Sequence, residues 1–400
     1  MPLNLASPGI VVREVDLTVG RVDPTSDGIG AIVAPFAQGP VELPTLVENE
    51  QDLLNVFGKP YSQDKHYEHW LTASSFLAYG GSLRVVRSDD AQLTNAFVGT
   101  ASSVKIKSVE HYEQLGYDEN AISNVVVAAR NPGSWANGLR VGIIDAKADQ
   151  ILTLSAANSI AVGYGVTQAI SAVLPGAGTT TVLDGHLKGV VTEVDGVNAY
   201  VKVLSHVSAS GTETEVDYQP SGVYAFSGSG NVAIHTNGQA ASYATTSVTA
   251  QSDWFDQQSI TLTSSSSVKW NTLADRPGTS EYAAARNSRF DEVHVVVIDA
   301  QGKVTGNAGT ILEKHLGLSK AKDAEFSVGS PSYWRKYLAN NSEYLFGGSA
   351  PAGIVTTGFS TNFVLETDVG WDQDAEGITF AATGNSNNTL GSGNNYDGGT

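Results

Sequence analysis

Residues 291–346 read DEVHVVVIDAQGKVTGNAGTILEKHLGLSKAKDAEFSVGSPSYWRKYLANNSEYLF, and this stretch decides the fold. Val293–Ile298 is nearly all apolar, which is typical of a strand in the centre of a sheet with both faces covered. Gly306–Leu316 predicts a helix, and Ser330–Asn340 predicts a second helix that carries aromatic residues. The stretch contains no plausible catalytic group, so it indicates a component of an assembly rather than an active site.

The composition of the chain excludes several classes of function. Of its 400 residues 41% are hydrophobic, enough for packed cores, and 42 glycines with only 16% charged residues favour β-strands joined by turns. The formal net charge of -18 and the lack of a basic run argue against nucleic acid as a partner. Because the chain has no cysteine, disulfides, thiolate metal sites and thiol nucleophiles are excluded.

The sequence also argues against a membrane partner. The N-terminus lacks the basic start and the apolar core of a signal peptide, and no window is apolar for long enough to span a bilayer. We therefore expect the protein to be made and kept in the cytoplasm, or to leave the cell by lysis.

Residues 28–90 predict a βαβ unit. Residues 28–36, GIGAIVAPF, form an apolar run that predicts a strand covered on both faces. Asn49 predicts the N-cap of a short helix, and a longer helix capped by Asp64 follows. Leu83–Arg87 predicts the second strand, parallel to the first because the connection between them is helical.

Residues 91–286 predict an inserted, β-rich region with frequent turns. Its predicted strands are Val104–Lys107, Asn124–Ala129, Leu139–Ile144, Ile151–Ser155, a hairpin over Val190–Leu204 that turns at Asp195-Gly196, Val223–Phe226, Val232–His235 and Ile260–Thr263. Trp135 lies between two turn signals, and we interpret it as a side chain that fills the core of this region.

The predicted fold class is a mixed, multidomain α+β protein. Residues 28–90 and 287–400 would form one discontinuous α/β core, incomplete at its C-terminus, in which Val293–Ile298 joins the sheet begun by the first two strands. Residues 91–286 would form one or more barrel-like or sandwich-like β domains. The final residues, GNSNNTLGSGNNYDGGT, are polar and rich in glycine, and we expect them not to pack.

Residues 1–27 predict an N-terminal arm that contains one strand. Its candidate assembly residues are Ile10, Val11, Val12, Val15 and Leu17. A lone strand must satisfy its backbone at a sheet edge, which can belong to its own subunit or to another.

Candidate metal sites in the sequence are weak. His66 and His69 flank Glu68, but their spacing differs from HExxH and no third ligand is indicated. Asp372–Gly377 resembles the start of an EF-hand loop, but the twelfth position is Thr383 rather than Glu, which favours a solvated acidic turn.

Catalytic candidates are equally weak. Asp89 and Asp90 form a carboxylate pair that solvation explains, and His294 lies in a predicted buried strand as a core or interface histidine. No nucleophile elbow or phosphate-binding loop is present in the sequence. We therefore predict no enzyme activity, no cofactor and no metal.

Several segments resemble, in order, the tail sheath proteins of contractile T-even-like bacteriophages. They are GAIVAPFAQGP (30–40), FLAYGGSLRVVR (76–87), NPGSWANGLRV (131–141), WNTLADRPGTS (270–280), DEVHVVVID (291–299) and ILEKHLGLSKAKDA (311–324). The resemblance implies a virion protein whose copies polymerise in hexameric rings around a tail tube and contract during genome delivery. It also implies terminal strands exchanged between neighbours, contacts with the baseplate and tail terminator, and assembly in the host cytoplasm.

Two other functions stay open, a β-rich adhesin or receptor-binding virion protein, and a hydrolase with a divergent site. Members of the sheath family continue beyond the Gly- and Asn-rich loop into a further domain, whereas this sequence stops at Thr400. We therefore expect a partial or shortened sheath that, alone, is monomeric or weakly associating and does not form contractile tubes.

Overall fold

The computed structural model describes residues 28–59, 67–156, 160–173, 182–220, 222–235, 243–351 and 368–396. The predicted arm, Asp64 and His66 lie outside these residues. The helices are α1 (Glu50–Phe57), α2 (Tyr67–Ala78), α3 (Val109–Gln114), α4 (Trp254–Gln257), α5 (Glu281–Ala284) and α6 (Trp334–Asn341).

The strands in the described part of the chain are β1 (Ile29–Ala34), β2 (Thr45–Val47), β3 (Ser82–Arg87), β4 (Phe97–Gly99), β5 (Val125–Ala129), β6 (Leu139–Asp145), β7 (Gln150–Leu154), β8 (Gly165–Val173), β9 (Val182–Asp195), β10 (Asn198–Val207), β11 (Glu213–Glu215), β12 (Gly230–His235), β13 (Tyr243–Asp253), β14 (Ser259–Thr261), β15 (Ser267–Lys269), β16 (Glu292–Asp299), β17 (Thr310–Ser319), β18 (Glu325–Ser327), β19 (Ser330–Pro331), β20 (Leu345–Gly347), β21 (Asp368–Val369), β22 (Thr379–Phe380) and β23 (Asn385–Thr389).

The N-terminal unit is a three-stranded sheet in the order β1, β3, β2, with α1 and α2 packed on it. β1 and β3 are parallel, as the sequence predicted. The predicted N-cap of α1 is also confirmed, because the Asn49 side chain accepts a hydrogen bond from the Asp52 N–H at 2.9 Å.

The prediction that β1 is covered on both faces is wrong. Gly30, Ile32 and Ala34 point toward the helices, whereas Ile29 and Val33 point to solvent. The physical reason is that both helices lie on the same side of this small sheet. An apolar run therefore does not by itself show whether one face or both faces of a strand are covered.

A closed six-stranded barrel forms the second unit. Its strands follow one another as β10, β7, β13, β12, β8 and β9, and β9 pairs back to β10. β11 pairs with the last residues of β10, beyond those that pair with β7. The predicted hairpin is present, with Asp195 opposite Asn198. Val223–Phe226 and Val104–Lys107 are not strands, contrary to the prediction.

The central region contains residues 291–346. β16 is buried along nearly its whole length, as predicted, in a four-stranded sheet in the order β17, β16, β6, β23. This corrects the expectation that Val293–Ile298 joins the sheet of β1 and β3. β16 instead pairs with Leu139–Asp145 of β6, and the local sequence does not specify which distant strand becomes its partner.

The helix predicted over Gly306–Leu316 is instead strand β17, which pairs antiparallel with β16. The turn before it contains Gly302, Gly306 and Gly309, all with positive φ. These glycines fit a tight reversal, so the segment returns as a hairpin partner. The second predicted helix is present as α6.

The C-terminal segment also differs from expectation. Residues 385–389 pair with β6 as β23, and Leu390 is buried. The polar side chains make this possible, because Asn385 accepts a hydrogen bond from Trp270 Nε1 at 3.1 Å and donates to the Ser259 carbonyl at 2.9 Å. A polar, Asn-rich sequence can therefore pack where amide groups find partners.

The predicted domain boundaries remain predictions. Strands β4, β5 and β6 belong to the predicted insert. However, β5 pairs with β20, and β6 pairs with β16 and β23, all three from outside the insert. β4 pairs with β5. These pairings favour an insert that is limited to the barrel, residues 150–253. Trp135 is only partly buried and packs at the margin of the central core rather than inside the barrel.

Candidate assembly surface

One exposed apolar surface of the described residues lies on the N-terminal sheet. Ile29 is 68% exposed, Val33 is 72% exposed and Leu46 is 47% exposed. Strand register places them on one face, with Arg84 between Ala31 and Leu46. We call this set, Ile29, Ala31, Val33, Leu46 and Arg84, the sheet face. Contiguous apolar residues on a sheet without a covering layer are typical of an interaction surface.

β1 also forms an edge of this sheet. Within the described residues its only strand partner is β3, and no described strand pairs with the N–H and C=O groups on its other side. An edge of this kind can accept an added strand.

A cleft of about 1290 Å³ separates the N-terminal unit from the central region. Trp135 and Tyr344 line it with ring centroids 6.4 Å apart, and Trp135 Nε1 donates to the Asn131 carbonyl at 3.1 Å. The two units are joined by the buried Arg87 of β3. Its guanidinium donates to the carbonyls of Phe36 at 2.9 Å and Pro132 at 2.7 Å.

The GLSKA motif, residues 317–321, is held by a buried ion pair. Lys320 Nζ lies 3.0 Å from Asp145 Oδ2, and neither side chain is exposed. Lys320 also donates to the carbonyls of Phe290 and Ala381, and the Asp145 carboxylate accepts from the N–H groups of Thr383 and Gly384. The pair therefore fixes the ends of β6 and β17 to the chain that leads into β23, a structural rather than catalytic task.

The histidine candidates have structural surroundings or are exposed. His294 is buried, its Nδ1 accepts from the Gly317 N–H at 2.9 Å, and its Nε2 lies 2.9 Å from the Asp275 carbonyl. These contacts fit a neutral ring protonated at Nε2, so the predicted core histidine is confirmed. His69 and Glu68 are exposed on α2.

The carboxylate candidates are also engaged by neighbours. Partial burial alone would raise the pKa of Asp89, but the Lys105 and Lys107 ammonium groups at 2.5 Å and 2.9 Å outweigh it and lower the pKa. Asp90 accepts hydrogen bonds from the Gln92 and Leu93 N–H groups. Both carboxylates therefore brace the start of the central region.

The EF-hand-like turn is tied to the protein by its first residue. Asp372 Oδ1 accepts from the Tyr333 hydroxyl at 2.8 Å and lies 3.2 Å from the buried Arg335 guanidinium. Across the described ranges there is no group of three or more His, Asp or Glu side chains that could hold a metal ion. Of the helices described, none combines the length and apolar character that crossing a bilayer requires.

The structure does not test the predicted arm, because Ile10, Val11, Val12, Val15 and Leu17 lie outside the described residues. The sheet face is a candidate that sequence reasoning missed. One sequence signal could have found it, namely that Gly30 lies between the outward-facing Ile29 and Ala31. The structure explains the glycine, because a Cβ atom there would lie 2.6 Å from the Phe76 ring. A helix-facing glycine beside Ile29 and Ala31 indicates that the bulk of β1 points outward.

Comparison with known proteins gives a consistent set of relatives, although no family model matches the chain. The tail sheath protein of Vibrio phage KVP40 is 40% identical over 91 residues, and that of Enterobacteria phage T4 is 39% identical over 88 residues, in each case 22% of this chain and 13% of the relative. The tail sheath protein of Salmonella phage ViI is 24% identical over 352 residues, 87% of this chain and 50% of the relative.

Solved structures of sheath tail proteins also match, but their similarity carries no argument about the fold. The protein from Listeria innocua has a TM-score of 0.18 at 13% identity and covers 56% of this chain and 34% of its own. The protein from Desulfitobacterium hafniense has a TM-score of 0.18 at 12% identity and covers 55% of this chain and 36% of its own.

The chain thus spans at most half the length of these phage relatives. Matches to three phages carry the same name, and that name agrees with the family that the motifs indicated. The chain is therefore similar in sequence to phage tail sheath proteins.

Proposed function

We propose that this chain is a structural subunit of a contractile phage tail sheath, and that it is not an enzyme. The observation that carries the proposal is the similarity to the ViI tail sheath protein over 87% of this chain. Copies would polymerise as a helical array of hexameric rings around the tail tube protein and contract to drive the tube through the host envelope. The array would end at the baseplate and the tail terminator, in a virion assembled in the host cytoplasm.

The physics of the proposal is mechanical. Subunits would assemble in a metastable extended array and relax to a shorter one, with the energy stored in interfaces between subunits. The net charge of -18 opposes association, so specific apolar contacts have to overcome the repulsion. The sheet face offers such contacts.

The arm completes the proposed assembly. Ile10, Val11, Val12, Val15 and Leu17 would lie on a strand that adds to a sheet edge of a neighbouring subunit. The free side of β1 is a suitable acceptor, because its backbone groups are unpaired within the described residues.

A matched pair of variants tests whether the arm adds to a neighbouring subunit. Val11→Pro with Val15→Pro removes two backbone donors, whereas Val11→Thr with Val15→Thr keeps them. We expect only the proline variant to lower association between chains in sedimentation velocity.

Immunogold electron microscopy tests the proposal as a whole. Antibodies raised against the purified 400-residue chain should label particles of the source phage along the tail shaft. Label confined to fibre tips, together with glycan binding by the purified chain, would instead support the alternative of a receptor-binding virion protein. Label on the capsid alone would contradict both.

A further inference from the structure

The barrel is joined to the central region through a narrow neck. The chain enters the barrel after β6 through residues 146–149 and leaves it after β13 at Asp253, which lies opposite Gln150. The Trp254 N–H donates to the Asp149 carbonyl at 2.9 Å across this neck. Two adjacent strands form a connection that can bend, so other contacts must fix the direction in which the barrel points.

One such contact is made by Arg276, from the loop between β15 and α5. Its guanidinium lies 2.5 Å from both carboxylate oxygens of Asp253 and 3.8 Å from Asp149. It also lies 4.9 Å from the ring of Tyr218, whose hydroxyl donates to Asp253 at 3.0 Å. Nη2 alone reaches both Asp253 oxygens while Nη1 faces Asp149, so the planar guanidinium links two carboxylates of the neck.

A second contact is made by the buried Arg289, just before β16. Its guanidinium donates to the carbonyls of Leu204 at 3.2 Å and Val216 at 2.9 Å, and to the Asp217 carboxylate at 3.0 Å. Leu204 lies in β10 and Val216 follows β11, so this contact reaches the barrel away from the neck. The Arg289 backbone is itself fixed, because its N–H donates to the Ile378 carbonyl at 2.9 Å.

We propose that Arg276 and Arg289 form a guanidinium clamp that fixes the orientation of the barrel on the central region. The barrel has its own closed sheet and its own buried core, so it keeps its shape when the clamp is removed. The apolar contacts of Ile151 and Tyr200 lie at the neck and act as the pivot. Without both guanidinium groups the barrel swings about this neck as a rigid body.

The absence of cysteine makes a direct test possible. Ala169→Cys on β8 and Lys314→Cys on β17 place one spin label on an exposed position of each unit, and pulsed electron resonance gives the distribution of distances between them. In the otherwise unchanged chain we expect one narrow distribution. With Arg276→Ala and Arg289→Ala together we expect a distribution at least twice as wide. Arg286→Ala is the matched control, because its exposed guanidinium stacks on Tyr282 within the central region.

Two further variants test the geometry of the clamp. Arg276→Lys with Arg289→Lys keeps both charges without the planar fork, and we expect an intermediate width. Circular dichroism and a cooperative thermal transition show whether each variant is folded. A folded double alanine variant with an unchanged narrow distribution would falsify the clamp, and so would a broad distribution in the unsubstituted background.

If the double alanine variant does not fold, the barrel side of the clamp decides the question. Asp217→Asn combined with Asp253→Asn weakens both contacts together, and the Asp217 side chain is 73% exposed, so its loss does not threaten the core. A broader distribution in this double variant supports the clamp. A folded double variant with an unbroadened distribution overturns it.

Discussion

Lys320 is a charged residue whose side chain is completely enclosed in the protein. Its ammonium has three acceptors, Asp145 and the carbonyls of Phe290 and Ala381, which use all three of its protons. The sequence showed this lysine as part of a family-like motif. Only the folded chain shows why the position holds a lysine, because its partner carboxylate comes from another sheet strand.

We predict that Lys320→Met strongly destabilises the protein. The substitution leaves the Asp145 carboxylate buried without its counter-charge, which costs about 3–5 kcal/mol of unfolding free energy. Urea unfolding followed by circular dichroism measures the loss. Lys322→Ala is the control, since Lys322 is exposed two residues away and should change the stability by no more than about 0.5 kcal/mol. Equal effects of the two substitutions would contradict the assignment.

Asp149, at the neck of the barrel, should make the stability of the folded protein depend on pH. Burial raises its pKa above the ordinary 3.8, against the opposing effects of the Arg276 guanidinium and the hydrogen bond from the Val203 N–H. Because the folded pKa is the higher one, the folded state binds more protons between the two pKa values. The contribution of Asp149 to stability therefore falls as pH rises from about 3.8 through its folded pKa.

We expect Asp149→Asn to abolish the loss of stability that Asp149 causes as the pH rises. The amide oxygen can still accept from the Val203 N–H at 2.8 Å, while no charge is buried. Urea unfolding at a series of pH values from 4 to 7 should show the variant gaining stability relative to the unsubstituted chain as pH rises. Asp256→Asn, on the exposed side of the neck, is the matched substitution. If the stability difference between Asp149→Asn and the unsubstituted chain shrinks as the pH rises, the pKa of Asp149 is not raised by folding.

At the scale of elements, the turn between β16 and β17 explains why a predicted helix is a strand. The buried Asp299 carboxylate accepts hydrogen bonds from the backbone N–H groups of Lys303, Val304 and Thr305 at 2.9, 3.0 and 2.7 Å. A side chain that satisfies three successive donors organises a loop in place of a helical turn. The hairpin thus depends on one carboxylate at the end of β16.

We predict that Asp299→Ala destabilises this hairpin and the central sheet. Loss of the acceptor leaves partly buried N–H groups unsatisfied, which costs about 2–3 kcal/mol in total. Asp299→Asn keeps one acceptor oxygen and should have an intermediate effect. Hydrogen exchange read by mass spectrometry should show faster exchange in residues 300–319 of the alanine variant. Unchanged exchange there would show that β17 forms without the carboxylate.

At the scale of the whole molecule, the units differ in how completely they enclose their apolar residues. The barrel closes on itself, and strand β16 of the central sheet is buried, but the N-terminal sheet leaves Ile29 and Val33 mostly exposed. Apolar residues gathered on one open face favour association rather than solvation.

We predict that Ile29→Lys with Val33→Lys lowers concentration-dependent self-association of the chain without loss of fold. Sedimentation velocity over a range of concentrations measures the association, and a thermal melt monitors the fold. Val197→Lys is the control, because Val197 is 45% exposed at the turn between β9 and β10 of the barrel, a sheet separate from that of β1. If both variants associate like the unsubstituted chain, the sheet face is not an interface.

The sequence by itself determined three locally encoded features, the Asn49 cap, the buried strand Val293–Ile298 and its enclosed histidine. It also determined the parallel orientation of β1 and β3, because a helical connection joins them. Caps and apolar runs depend on neighbours a few residues away, so they can be read directly. Tertiary structure alone decided which sheet received Val293–Ile298, which face of β1 stayed open, and which carboxylates meet Lys320, Arg276 and Arg289. Those outcomes depend on pairing between distant segments, where several partners satisfy the same local pattern and only packing of the whole chain selects one.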